Sequence, residues 1–427
     1  MTTPKSVIAS AQTVLIIFSL LTLLFGLLLR FSNLNLPFWG DEFQTINVAN
    51  GIGRLAGEPS LAQAWRIQRL EMMHPPAFMV LLHFWAKVSS GTAWTRLLPS
   101  LIGLVGLVYL VKLGVESGFK LAPILLVTAL TTVSWVFVHY SEEVGSYSLA
   151  ISTAFALIYY VVCYFNRPSR SNYLKLLLVS LANLFVYFGS WFYLPFVSTV
   201  ILFKAIQNKK YSHLISFIVI GGLAVTFLYF DQLQYKWGFA VSDYLTSNKL
   251  NSVPAAVIPA KVVKDNIDYF TYIFGATPWH LDATFFPSVA RFGISFTRQY
   301  YLSLILVGTC VILYYLYLSL TMSATKNGLI RKLLPLFFLF SILVFVNLAS
   351  LFGFYPIGPV RMSLFYAPVV VWLSLQFLDL LFRRLSFFTI IIVAFVMMLI
   401  VNGLTRLYRV PQRHIGNQIR EPLYYST

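Results

Sequence analysis

Apolar runs of the roughly 20 residues needed to cross a hydrocarbon core recur from one end of this chain to the other. They predict membrane helices over 14–29, 97–113, 121–138, 147–165, 173–187 and 191–203, and again over 214–230, 296–320, 333–352, 363–382 and 387–404. A shorter apolar stretch, 75–88, is ambiguous by length alone. The positive-inside rule decides it. If 75–88 does not cross, Lys112, Lys120, Arg167, Arg170, Lys209, Lys210, Lys326, Arg331, Lys332, Arg383 and Arg384 all fall on the side of Lys5. The opposite short loops then hold Ser141-Glu142-Glu143, Gly189-Ser190 and Tyr355-Pro356, with Arg361 as their cation. The stretch is therefore expected to be interfacial or re-entrant, leaving about eleven crossings, the N-terminus inside and the C-terminus outside.

Composition agrees: 58% of residues are hydrophobic and 11% charged, so the prior of several soluble domains for 427 residues does not apply. The expected fold class is an all-α polytopic membrane protein whose body, 1–405, carries extramembranous segments at 31–96 and 231–295 and a short basic tail at 406–427. The first segment has helical apolar spacing over 61–70 and should form juxtamembrane helices on the bilayer surface. A net charge of +17 does not imply nucleic acid, because the cations sit in loops between apolar spans, facing lipid headgroups. No small-residue cleavage site follows the first run, which reads as a retained helix. Cys163 and Cys310 both lie in spans, so neither a disulfide framework nor a metal-type spacing exists.

With only 14 acidic residues in the chain, the adjacent Asp41 and Glu42 just past the first span are the first candidates for chemistry, since carboxylates at a membrane boundary are costly to keep. On the topology above they share a side with His74, Glu142, Glu143 and Arg361. Such a set offers a proton acceptor and an anion-holding group above a lipid-solvating body. That suits a substrate combining a lipid tail, a phosphate and a hydrophilic head.

Asp41-Glu42 after the first helix, His74-Pro75-Pro76 opening an apolar helix, Thr95-Arg96-Leu97-Leu98-Pro99-Ser100-Leu101 and Tyr140-Ser141-Glu142-Glu143 before Tyr147 occur in an order that resembles the GT-C membrane glycosyltransferases. The similarity is to the branch of protein O-mannosyltransferases and bacterial aminoarabinose transferases, covers about the first 200 residues, and extends to Tyr355-Pro356-Ile357-Gly358-Pro359-Val360-Arg361 in the last outer loop. The resemblance implies a GT-C helical body and inverting transfer of a sugar from a polyprenyl-phosphate carrier to a hydroxyl of a glycan, lipid or protein. The site would face outward from a bacterial inner membrane. It implies Asp41 as general base, with Glu42 and Glu143 as catalytic carboxylates favouring positive charge on the sugar carbon. Arg361 and His74 are expected to hold the phosphate, with Glu142 beside them. Tyr193, Trp279 and His280 are further candidates for contact with the sugar. Glu142-Glu143-Val144-Gly145-Ser146-Tyr147 lacks the arginine of the family's Gln-Glu-Ala-Arg-Pro-Tyr, so another cation is needed. No cofactor is expected: a bound divalent ion is disfavoured by a monophosphate donor. The competing expectations are a flippase or transporter of an amphipathic lipid, or a polysaccharide polymerase or ligase using lipid-linked sugars.

Overall fold

The computed structural model describes residues 4–38, 40–53, 58–71, 74–234, 326–352 and 364–384, with isolated positions at 254–262, 313–321 and 355. Among them every regular element is helical. The chain runs α1 (Pro4–Ser32), α2 (Gly40–Ala49), α3 (Leu61–Glu71), α4 (Ala77–Ala86), α5 (Thr92–Glu116), α6 (Leu121–Val133), α7 (Trp135–Glu142), α8 (Tyr147–Asn166) and α9 (Arg170–Val186). A 3₁₀ turn (Phe188–Tyr193) leads into α10 (Leu194–Asn208), and α11 (Tyr211–Leu228) ends in a π-helical turn (Tyr229–Leu233); α12 (Lys326–Leu351) and α13 (Tyr366–Arg384) follow.

Six helices of the described residues are long and apolar enough to cross a membrane, seven if α6 and α7 form one bent span. The protein is thus an all-helical membrane protein. The spans expected over 296–320 and 387–404 lie mostly or wholly outside the described residues. Two expectations change: 173–187 falls in α9, a 17-residue helix that is not among those six, and 121–138 is not a single rod but breaks at Ser134, whose extended backbone turns α7 by 56° from α6. The ambiguous stretch 75–88 becomes α4, whose 10 residues make a helix about 15 Å long, half a hydrocarbon core.

Contacts between helix termini sort them into two ends. Arg167 Nη2 meets Glu116 Oε2 at 2.7 Å, joining the ends of α8 and α5. The Lys120 amide donates to Asp379 Oδ1 at 2.8 Å, and Arg331 Nη2 donates to the Ser117 carbonyl. The loops that the charge pattern grouped together therefore do share one basic end. At the opposite end α2, α3 and α4 pack into a satellite core of Val48, Ala49, Ile67, Phe78, Met79 and Leu82, closed by Leu98 and Val144. His83 of α4 lies 2.7 Å from the Ala49 carbonyl, and Trp65 of α3 donates to Asp231 at 3.0 Å.

Helices α5 and α8 pack closely, because glycine on one faces serine on the other, the small-residue geometry that membrane helices use in place of a hydrophobic drive. A Cβ added to Gly106 would stand 2.6 Å from Ser152 Oγ and 3.2 Å from Ser152 Cα. Ser148 Oγ donates to the Pro99 carbonyl at 2.6 Å, and Ser152 Oγ to that of Ile102 at 2.7 Å. Gly106→Val should therefore destabilise the detergent-solubilised protein by about 1–3 kcal/mol, read as a lower thermal midpoint. Gly221→Ala, where nothing lies within 4 Å, should leave the midpoint unchanged or slightly raised.

Candidate functional site

Helix α1 ends at Ser32, and the chain crosses 33–38 as an irregular link before α2 begins at Gly40. This link leaves backbone carbonyls without helical partners, and Arg96 in the second turn of α5 takes three of them. Its Nη1 donates to the Asn33 carbonyl at 3.2 Å and to that of Leu36, and its Nη2 to that of Pro37 at 2.9 Å. Its Nε and Nη2 also grip the Glu42 carboxylate at 3.0 and 2.5 Å. A guanidinium has five N–H groups, and these five bonds use them all. Glu42 Oε1 accepts as well from the Val144 amide at 3.0 Å, bringing the α7–α8 turn to the same point. Glu42 is 1% exposed and Arg96 5%, so this is a buried pair, whose partners cannot fall back on water.

Beside the pair lies a small hollow lined by Asn33, Leu36, Glu42, Arg96, His139, Glu142 and Glu143. Asn33 Nδ2 reaches both oxygens of Glu142, at 3.3 and 3.2 Å. Glu142 lies past the apolar run of α7, and burial pushes its carboxyl up from 4.5 to about 7, against the opposing pull of the Asn33 bond and of Arg30 and Arg96. His139 Nε2 lies 3.4 Å from Glu143 Oε2. Behind the hollow Arg30 is buried in the bundle, its Nη1 donating to the carbonyls of Gly26 and Thr132 at 2.8 and 2.7 Å.

Of the expected site residues, the structure brings Glu42, Glu142 and Glu143 to one hollow. Asp41 is half-buried beside Glu42 in the first turn of α2, where acids suit the helix dipole, and its carbonyl accepts from Thr45 Oγ1 at 2.8 Å. His74 does not line the hollow; its ring rests on Tyr147 and Tyr187, with centroids 5.3 and 5.2 Å away. Tyr193 is not brought there either. It sits in the main core, its hydroxyl donating to the Phe365 carbonyl at 2.5 Å, so a polar tip that the sequence alone left available is spent on packing the 3₁₀ turn against α13. Arg361, Trp279 and His280 lie outside the described residues. Asn33, Arg96 and His139 were missed as site residues. His139 had a signal, its four-residue spacing from Glu143 at the end of α7; Arg96 stood within the motif at 95–101, but its role had no signal, its carboxylate partner being 54 positions away.

Among the described residues no group of three or more His, Cys, Asp or Glu side chains is placed to hold a metal ion. No protein-family model matches the chain, and a search of curated proteins finds no match.

Removing one half of a buried pair strands the other. Arg96→Met should cost about 3–5 kcal/mol of stability in thermal unfolding, and the double change with Glu42→Leu should cost less than the two single changes summed. Arg96→Lys should fail to rescue, because an ammonium offers three donors and no fork. Glu142 gives a pH prediction. Its carboxyl binds protons more tightly folded than unfolded, so between pH 4.5 and about 7 the native state holds the extra proton and stability falls as pH rises. Glu142→Gln should flatten that slope in melts taken across the window.

Proposed function

We propose that this protein is an integral membrane glycosyltransferase of the GT-C type, moving a sugar from a polyprenyl-phosphate carrier to a hydroxyl acceptor, with inversion. The observation that carries the reading is the gathering of Glu42, Glu142, Glu143 and His139 in one hollow at the end of the bundle opposite the basic loops. Positive-inside orientation puts that end outside the cytoplasm, and a bacterial inner membrane is the setting we infer.

Asp41 takes the proton of the acceptor hydroxyl as the oxygen attacks the sugar carbon and the carrier phosphate departs with its electron pair. Positive charge builds on the sugar carbon on the way, and Glu143 is the carboxylate that favours it. Glu42 serves differently from the other two acids. Both its oxygens are engaged by Arg96 and the Val144 amide, so it holds α2, and with it Asp41, against α5. Arg96, with five donors committed, is not the phosphate holder. That part falls to Arg361 and His74, which bind the leaving group more strongly as its charge grows. A single phosphate asks for less countercharge than a pyrophosphate, so the reaction proceeds without a divalent ion. The acceptor is a glycan, a lipid or a protein, and nucleic acid has no part.

A lipid transporter is the rival reading, favoured by the break between α6 and α7, since discontinuous helices build transporter sites. The two separate cleanly. Purified protein incubated with a panel of polyprenyl-phosphate sugars should break down one donor, and Asp41→Asn should slow that breakdown by about 10²–10⁴-fold. Movement of labelled carrier lipid across a vesicle, with no donor broken down, would instead favour transport.

A further inference from the structure

At the basic end, away from the hollow, Lys120, Arg331, Lys332 and Arg383 come from three separate elements and meet around the short link between α5 and α6. Gly118 is their common point. Its φ of +70° turns the chain sharply where α5 ends, a backbone shape that glycine adopts without steric cost. Arg383 Nη2 donates to the Gly118 carbonyl at 3.0 Å, and a Cβ added to Gly118 would stand 3.2 Å from Arg331 Nη2. Lys120 Nζ donates to the Phe382 carbonyl at 3.5 Å, and Lys332 lies within electrostatic reach of Arg383 and Asp379.

The acids at this junction are fewer, and both are engaged. Asp379 accepts from the Lys120 amide at 2.8 Å on one oxygen and from Arg383 Nε at 2.7 Å on the other. Glu116 accepts from Asn166 at 3.1 Å on one oxygen and from Arg167 at 2.7 Å on the other. The charged tips of Lys120 and Arg331 instead meet backbone carbonyls, of Phe382 for the first and of Glu116 and Ser117 for the second, which bring no full charge to set against theirs. Among the described residues five cations, Arg167 included, thus stand against two carboxylates, and like charges gathered this closely repel. Orientation in the membrane asks only that cations lie in these loops, as exposed Lys175 of α9 does; it does not ask three elements to deliver them to one point.

We propose that this junction binds the headgroup of one anionic phospholipid, its phosphodiester held by Lys120, Arg331 and Arg383. Charge complementarity selects the occupant: a phosphate supplies the negative charge that Glu116 and Asp379 leave short, and it accepts several charge-assisted hydrogen bonds at once. The cations are within reach of lipid, since Lys120 is exposed and the Arg383 side chain is 40% exposed, two of its five N–H groups going to Asp379 and Gly118. Val115 and Leu121, on either side of the link, are 65% and 59% exposed and give the acyl chains an apolar wall. That wall favours a lipid over a free phosphate ion. A lipid so held ties α12 and α13 to the α5–α6 link. The proposal is independent of the sugar-transfer reading.

The test is native mass spectrometry of the full-length protein in detergent, with phosphatidylglycerol and phosphatidylcholine of the same acyl chains added in turn. One phosphatidylglycerol should be retained at concentrations where phosphatidylcholine is not. It should also raise the thermal midpoint, because a ligand that binds only the folded state stabilises it. Lys120→Gln should weaken retention about fivefold and Lys120→Glu about tenfold or more. Lys120→Arg, which keeps the cation, should bind as the wild type does. Lys175→Glu, the same change of net charge as Lys120→Glu and at the same end, should leave retention unaltered. Thermal midpoints without added lipid check that each variant is folded. Equal retention of the two lipids overturns the proposal. So does an equal loss in Lys175→Glu, which would show that the charge of the whole end draws the lipid. Inorganic phosphate is the last arm: if it raises the wild-type midpoint as far as phosphatidylglycerol does, the junction is an ion site and the lipid assignment falls.

Discussion

Leaving a buried N–H unpaired is costly, and at the acidic end of this bundle Arg96 leaves none unpaired. Arg96 has left water, and each of its five donors finds an oxygen: two on Glu42 and three on the link that follows α1. Through these bonds one side chain of α5 sets where α1 stops, how the link turns and where α2 starts. Glu42 extends the arrangement to the α7–α8 turn through the Val144 amide. The hollow exists because three segments distant in sequence, the stretch 33–42, α5 and the α7–α8 turn, meet at this one pair, and the carboxylates beside it inherit their positions from it.

The rest of the bundle separates two tasks. At the basic end, termini are joined by charged groups and carbonyls, as with Glu116 and Arg167 or Asp379 and Arg383. Those contacts keep helices in register and leave cations where anionic headgroups lie. Between the ends, packing depends on shape: glycine and serine let α5 and α8 come close, since lipid tails offer no hydrophobic penalty to drive the helices together. Ionisable groups that could do chemistry therefore collect at the acidic end, where the chain leaves the apolar core and small juxtamembrane helices shield them. Helices α2, α3 and α4 form that shield, and His83 and Trp65 tie it down to its neighbours.

Much of this was legible before any coordinates. Apolar length predicts the long helices because a hydrocarbon core tolerates no unsatisfied backbone. The distribution of lysine and arginine placed 75–88 outside the set of crossings, in keeping with the short helix α4 and with Arg96 reaching back to the end of α1. Asp41-Glu42 and Glu142-Glu143 stood out because acids are scarce in such a chain. The break at Ser134 was not legible, since a serine inside an apolar run is also compatible with a straight helix. Tyr193 misled for a related reason: an aromatic ring with a polar tip looks the same in sequence whether it faces a sugar or a carbonyl of the core.

What the sequence determined by itself is the class of molecule, six of its long apolar helices and the two unequal ends, because these follow from local composition and from the cost of placing charge in lipid. Which carboxylate does what was decided only by the tertiary structure. Glu42 and Glu143 are equally acidic on paper, yet one meets a guanidinium that keeps its charge and the other an imidazole that can lose it. That difference arises from contacts across many tens of residues, and a carboxylate's chemistry depends on its partner more than on its place in the chain.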